Sequence, residues 1–303
     1  MEKTTNFDVI IIGGSSAGLS AGMCLGRALR NVLIIDSGKP CNQQTPHSHN
    51  FLTQDGSTPT EILSIAKEQL TQYKTVEFLT DLAVKGIKTD SGFEISTRSG
   101  KSFLGKKLVF ATGISDSMPA IEGFAECWGI SVIHCPYCHG YEYKNEKTGI
   151  LANGDLGFET AKLISNWTKD LTLYTNGKSD LTAAQTEILQ EHGFTIEEKV
   201  VKRIVHENGQ IEKIIFNDGA EANLNVLYAR LGFTQHCSIP EDLGCEMTEQ
   251  GHIKADMFMK TTIPGIYACG DNISPMRSIA NAVYNGSVTG AVLNMELINE
   301  SFS

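Results

Sequence analysis

The sequence predicts an α/β protein built from two nucleotide-binding units, and three observations carry that expectation. A β-branched strand, a glycine-bearing turn, a helix and a second strand occur in that order twice along the chain. The two copies have equal spacing, since Gly13 to Asp36 and Ala152 to Thr175 are each 23 residues apart. A chain of 303 residues is also long enough for two separate cores.

The first copy opens with Phe7-Asp8-Val9-Ile10-Ile11-Ile12, a continuous apolar run that reads as a buried parallel strand. Gly13-Gly14-Ser15-Ser16-Ala17-Gly18 follows, then a helix carrying Leu19, Met23, Leu25 and Leu29, then the strand Val32-Leu33-Ile34-Ile35 ending at Asp36. This is a Rossmann-like dinucleotide fingerprint with Ser15 in the middle glycine position. Gly13 makes the tight turn, the small Ser15 lets a pyrophosphate approach, and Gly18 lets helix and strand pack closely. The helix N-terminus favours the phosphates, and Asp36 is placed to accept from a ribose hydroxyl.

Residues 41–61 are irregular and polar, the composition of a long surface loop, with His47, His49 and Asp55 among them. Lys107-Leu108-Val109-Phe110 reads as a strand delivering the turn Ala111-Thr112-Gly113. The second copy runs from the strand Thr148–Leu151 through Ala152-Asn153-Gly154-Asp155-Leu156-Gly157 to a helix over about 158–167 and the strand Leu171–Tyr174. Its first glycine position holds Ala152 and its acid position Thr175, and only Lys178 is basic nearby. A hairpin is expected at Asn217-Asp218-Gly219. In the run 261–271 a late strand delivers Gly270-Asp271, and Arg277 is expected to open a helix whose Ala280, Ala282, Gly286, Gly290 and Ala291 permit a close approach to another surface.

Hydrophobic content of 41% and charged content of 20% are those of a globular chain. A net charge of −10 argues against nucleic acid or an anionic membrane as the main partner. No apolar run reaches bilayer length and no secretory leader is visible, so a cytoplasmic location is expected. The eight cysteines are scattered apart from one pair, which does not describe a secreted disulfide framework. Cys24, Cys127, Cys237, Cys245 and Cys269 read as buried or incidental thiols.

The exception is His134-Cys135-Pro136-Tyr137-Cys138-His139. Two cysteines at this spacing can close a short disulfide and exchange electrons through a mixed disulfide. Zinc would need ligands that six consecutive residues cannot all turn onto one tetrahedral ion, and no second CxxC or HxxxH follows. A glutaredoxin-like domain would place the motif near its start, whereas 134 residues precede this pair. An inert structural CxxC stays open at this point.

Fingerprint, ATG turn, CxxC, second fingerprint and GD turn follow one another in an order that resembles the low-molecular-weight thioredoxin reductases. The resemblance covers nearly the whole chain. It implies two Rossmann-like FAD/NAD(P)-binding domains, the second inserted into the first: an FAD domain over 1–115 and 237–303, and an inserted domain over 116–236. It further implies that Gly13, Ser15, Ser16, Ala17, Gly18 and Asp36 hold the adenosine half of FAD. Thr112, Gly113, Gly270, Asp271 and Arg277 would serve the rest of the cofactor, and Gly154 and Gly157 the NADPH. Cys138 would face the flavin and Cys135 an external disulfide. His139 is the expected acid/base, with His134 as the alternative.

Two departures stand out. His139 follows the second cysteine where the reductases carry Asp, and Thr175-Asn176-Gly177 stands where they carry His-Arg-Arg. The run from Cys135 to Glu142 is similar to a branch that includes flavin dithiol oxidases. Expected partners are therefore a thioredoxin-like protein or a small-molecule disulfide or dithiol, in a homodimeric enzyme. The alternatives are a dithiol oxidase using oxygen and a non-catalytic flavin redox sensor.

Overall fold

The computed structural model describes residues 6–302. Residues 1–5 and 303, which the expected FAD domain includes, lie outside the described residues. The chain divides into two compact units, one through residue 43 with 60–115 and from 233 onward, the other 44–59 with 116–232.

The first unit is built on strand β1 (Asn6–Ile12), helix α1 (Ser16–Arg27), β2 (Val32–Asp36), α2 (Pro59–Leu70), β3 (Val76–Thr80), β4 (Ala83–Thr89), β5 (Gly92–Thr97), β6 (Ser102–Phe110) and β7 (Ile114–Asp116). The second carries α3 (Phe124–Cys127), β8 (Val132–Ile133), α4 (Pro136–His139), β9 (Thr148–Leu151), α5 (Gly154–Ile164), β10 (Leu171–Tyr174), α6 (Ala183–Glu191), β11 (Thr195–Glu197), β12 (Val201–Glu207), β13 (Gln210–Phe216), β14 (Glu221–Asn223) and β15 (Val226–Ala229). The chain then returns to the first unit with β16 (Phe233–Gln235), α7 (Ile239–Asp242), β17 (Ile266–Ala268) and α8 (Ile279–Ser301).

In the first unit the sheet order is β3-β2-β1-β6-β5-β4, with β17 also on β6. Strands β3, β2, β1, β6 and β17 are parallel, and β4 and β5 are antiparallel additions. Ile10, Ile11 and Ile34 are fully buried, as expected for strands covered on both faces, and each such side chain contributes roughly 1.5–3 kcal/mol. One core lies between the sheet and α1, α2 and α8, with Leu25, Leu70, Leu293 and Leu297 at its centre. The second unit has a parallel sheet, β11-β10-β9-β15-β8, and an antiparallel sheet, β12-β13-β14, that turns at the expected Asn217-Asp218-Gly219. No described helix is long and apolar enough to cross a membrane.

Four positions differ from the sequence expectation, each for a physical reason. Helix α5 starts at Gly154 rather than near 158, because Asn153 Oδ1 accepts the Gly154 N–H at 2.8 Å and caps it there. Helix α8 starts at Ile279, because Ser278 is its N-cap and accepts from Asn281 N–H, so Arg277 precedes the helix. Residues 233–236 pack with the first unit, since the Phe233 ring lies 4.6 Å from that of His252 and Gln235 donates to Gly251 and Asn272 carbonyls. Residues 44–59 fold with the second unit, where the Gln44 amide donates to the carbonyls of Ala125 and Trp128.

Helices α1 and α8 lie against each other through small residues. A Cβ on Gly286 would sit 2.1 Å from the Ala17 carbonyl oxygen, and one on Gly290 would sit 2.6 Å from Cys24 Cβ. Ala280 and Ala291, by contrast, are exposed. Lys107 of β6 donates to Glu296 at 2.8 Å and to Glu300, which fastens the far end of α8 to the sheet. Replacing Gly286 with Val forces the helices apart and should lower stability by about 1–3 kcal/mol, read as a lower denaturant midpoint with an unchanged slope.

Candidate functional site

The first group of expected residues collects at the carboxyl ends of β1, β2, β6 and β17, where open parallel sheets bind their ligands. Gly13 has φ +108°, and a Cβ there would lie 2.2 Å from the Ala111 carbonyl oxygen. A Cβ on Gly18 would lie 1.9 Å from the Gly13 carbonyl oxygen, so only glycine fits at either position. A Cβ on Gly14 would meet Asp36 Cβ at 2.8 Å, which puts the turn directly over that carboxylate. Ser15 is the N-cap of α1 and makes no side-chain capping bond; Ser16 and Ala17 begin the helix. Asp36 is approached by Lys67 Nζ at 3.4 Å.

Thr112 and Gly113 follow β6, and Gly113 has φ +63°. Gly270 has φ +93°, and a Cβ on it would sit 3.1 Å from Ala17 Cβ. Asp271 accepts an ion pair from Arg277 Nε at 3.7 Å. Gly13, Ser15, Ser16, Ala17, Gly18, Asp36, Thr112, Gly113, Gly270, Asp271 and Arg277 thus all belong to one unit. A narrow backbone cradle facing a helix N-terminus and a terminal carboxylate fits a dinucleotide.

The cysteine pair lies in the second unit. Cys135 and Cys138 are joined by a disulfide with their Cα atoms 5.3 Å apart, closed over the single turn of α4. Pro136 opens that turn, and the N–H groups of Cys138 and His139 both donate to the Cys135 carbonyl at 3.2 Å. Gly140 is required behind it, because a Cβ there would lie 2.8 Å from the Trp167 ring. Tyr137 meets Trp167 edge-on at 5.6 Å. His134 is stacked on Trp128 at 5.8 Å, and Trp128 in turn donates to Asp116 at 3.1 Å. That stacking gives His134 a packing role beside α3.

His139 sits in a different setting. Burial pushes its imidazole below the ordinary value, the Glu142 carboxylate pulls it back up, and His49 lowers it further. His49 is delivered by the loop 47–57, whose ends pair through Ser48 N–H to Ser57 O at 2.8 Å and Gly56 N–H to Ser48 O at 2.9 Å. Asp55 accepts the Asn50 N–H at 2.7 Å and lies 3.7 Å from His49 Nδ1, while Glu142 lies 3.5 Å from His49 Nε2. An open groove of about 300 Å³ lies beside His49, lined by it with Asp55, Tyr137, Tyr141, Glu142 and Trp167. Sequence reasoning placed His49 and Asp55 in a polar loop and gave Glu142 no role. Only the folded loop shows the three to be neighbours.

The second fingerprint keeps the shape of the first with different groups. Gly157 packs closely, its would-be Cβ 3.2 Å from the Ala152 carbonyl oxygen, and Gly154 has φ +55°. Asn153 also donates to Asp180 Oδ2 at 3.1 Å and accepts the Asp180 N–H at 2.9 Å. Asp155, in the first turn of α5, accepts from Gln185 at 2.8 Å. The Thr175 hydroxyl donates to the Gly177 carbonyl at 2.7 Å, and Glu198 accepts the Ser179 N–H at 2.9 Å.

Comparison with known proteins agrees with this arrangement. The family model described as pyridine nucleotide-disulphide oxidoreductase matches residues 7–286. Thioredoxin reductase aclD of Aspergillus oryzae is 33% identical over 295 residues, covering 93% of each chain. An oxidoreductase from Agrobacterium tumefaciens superimposes with a TM-score of 0.91 at 35% identity, over 97% of this chain and 99% of that one. A putative thioredoxin reductase TrxB from Bacillus anthracis gives 0.93 at 29% identity, with the same coverage. Thioredoxin reductase-like members of the family use FAD and NADPH. With two nucleotide-type folds and a closed CxxC in one chain, and a family match spanning nearly all of it, the chain belongs to the pyridine nucleotide-disulphide oxidoreductases as a thioredoxin reductase-like enzyme.

Proposed function

We propose that the chain is an FAD-dependent thiol–disulfide oxidoreductase whose reacting pair is Cys135–Cys138. The observation that carries this reading is the closed disulfide on the short α4 turn, immediately followed by a half-buried His139. Gly13, Ser15, Ser16, Ala17, Gly18 and Asp36 would hold the adenosine and pyrophosphate part of FAD. Thr112, Gly113, Gly270, Asp271 and Arg277 would hold the remainder. Bound FAD supplies the two-electron couple that resets the cysteine pair.

The exchange itself needs only this chain's sulfurs and a proton acceptor. A thiolate of an external dithiol attacks Cys135, a mixed disulfide forms, and Cys138 leaves as the thiolate. The second external thiolate then closes the external disulfide and releases Cys135. Two electrons pass to the enzyme pair and the external dithiol gives up two protons; reduction of an external disulfide is the same sequence reversed. His139 is the group that takes or returns a proton at sulfur, and its lowered pKa keeps it neutral, hence basic, near pH 7.

A second, narrower reading concerns direction. At the second fingerprint, Asp155 and Asp180 lie at the N-terminus of α5, where a nucleotide pyrophosphate would otherwise sit, and Glu198 borders the ribose position. These carboxylates favour oxidation of a small dithiol, with oxygen reduced to peroxide, over electron entry from NADPH. The open groove beside α4, lined by Pro136, Tyr137, Tyr141 and Trp167, offers aromatic surface to a substrate of the pair.

Cys138→Ser should reduce turnover to the uncatalysed background while the protein stays yellow; persisting turnover would remove the cysteine pair from the reaction. In Glu142→Gln the carboxylate that raises the His139 pKa is gone, while burial and His49 still lower it. The acid limb of kcat/KM should therefore move to lower pH, and an unmoved limb assigns the proton step elsewhere. Anaerobic stopped-flow mixing with NADPH and with NADH separates the two directions. An unbleached flavin band, together with peroxide release when a dithiol is added in air, is the oxidase result, and rapid bleaching by NADPH is the reductase result.

A further inference from the structure

The loop 47–57 delivers an imidazole to the neighbourhood of α4. Besides the bonds between Ser48, Gly56 and Ser57 that close its base, Gln54 N–H donates to the Phe51 carbonyl at 3.0 Å and the Ser57 hydroxyl to Gln54 Oε1 at 3.2 Å. A loop tied in this way has already paid the entropy of fixing its side chains. His49 is the half-buried residue it presents, with Asp55 at Nδ1 and Glu142 at Nε2, one carboxylate to each ring nitrogen. Asp55 is in turn fixed by the Asn50 N–H at 2.7 Å. Loop, α4 and Glu142 all belong to the same compact unit.

Glu142 is exposed, and a glutamate left to itself on a surface spreads over many rotamers. Its field at a neighbouring group falls with distance, so an effect on His139 requires the carboxylate to stay close. That effect is present: burial lowers the His139 pKa, Glu142 raises it and His49 lowers it. Around these groups stand His47, its ring 6.4 Å from that of His49, and Tyr137 and Tyr141, with Lys144 Nζ 3.6 Å above the Tyr141 ring. The two sulfurs of α4 are bonded to each other and do not titrate.

We propose that His49 is a positioning residue for the thiol–disulfide step: its Nε2 holds the Glu142 carboxylate beside His139, while Asp55 anchors its Nδ1. The closed loop thus sets the surroundings of a base that lies 90 residues further along the chain. This rests on the reading that His139 exchanges the proton at sulfur.

A glutamine amide nitrogen stands near the place of imidazole Nε2, and an asparagine one near that of Nδ1. His49→Gln therefore keeps a donor for Glu142, and His49→Asn keeps one only for Asp55. Both variants delete the imidazole charge, so its repulsion of His139 is lost equally in the two. The His139 ring is titrated by NMR in full-length protein carrying labelled histidine, its signal identified by its loss in His139→Gln. Its midpoint in His49→Gln should lie about 0.5–1 pH above that in His49→Asn. Adding Glu142→Gln should lower the midpoint in the first variant and leave the second unchanged. Equal midpoints, the reverse order, or equal lowering by Glu142→Gln in both overturn the proposal; the reverse order means that His49 serves only its own loop through Asp55. Should either variant not fold, Glu142→Asp in the otherwise unchanged protein decides. A carboxylate one methylene short of His49 should lower the His139 midpoint as Glu142→Gln does, and an unmoved midpoint overturns the proposal. The titration needs no turnover, so disulfide exchange that persists in Cys138→Ser sinks the underlying reading separately.

Discussion

The first unit depends on one steric constraint: backbone must touch backbone where β1 turns into α1. The Gly13 position lies against the Ala111 carbonyl and Gly18 against that of Gly13, at separations no Cβ could occupy. Those contacts bring the start of α1 level with the ends of β1 and β6. The same helix presents Ala17 to Gly286 and Cys24 to Gly290, so α8 closes over it from behind. Removing side chains at these places costs chain entropy. What is gained is a helix start whose N–H groups are not capped by Ser15 and remain available to an anionic ligand.

The second unit shows that the same scaffold does not dictate the same chemistry. Strands β9 and β10 and helix α5 repeat the first plan, and Gly157 repeats the close packing of Gly18. Around its turn, however, Asn153 caps the helix and engages Asp180, using the groups that a phosphate would compete for. A carboxylate near a phosphate charge at about 4 Å is opposed by roughly 4 kcal/mol at an effective dielectric of 20. Fold similarity alone therefore says little about which nucleotide enters, and the charge at the helix start says more.

Much of this was legible before folding. Apolar strands at 7–12, 32–35 and 148–151 are set by continuous β-branched runs, and the glycines between them by sterics that any such turn must obey. The pairing of Cys135 with Cys138 follows from their spacing. Contacts made by tertiary folding left no periodic signal. Residues 44–59 read as an N-terminal loop, yet the Gln44 amide and the ring of ordered turns from Ser48 to Ser57 place them in the other unit. The start of α5 was hidden because Gly154 and Asp155 look like turn residues until Asn153 caps them. Asn272 carried no motif at all; only folding brings its amide onto the Phe110 carbonyl and the Thr112 hydroxyl.

The contrast between the Cys135–Cys138 pair and five of the other cysteines follows from the same packing. A sulfur reacts as the thiolate, and burial disfavours that charge. Burial raises the thiols of Cys24, Cys237 and Cys245, pushes Cys127 up to about 11 and Cys269 up to about 12, so at neutral pH these five stay protonated and inert. Cys135 and Cys138 are instead joined as a disulfide on a four-residue helix opened by proline, where both are partly exposed. The neighbouring imidazole, kept neutral by its own burial, can take the proton that an incoming thiol must lose. Burial thus acts in opposite senses on two kinds of group: it silences the core thiols and prepares His139 to act as a base. Packing thus separates α4 from these five thiols; Cys41, which is exposed, is not covered by it.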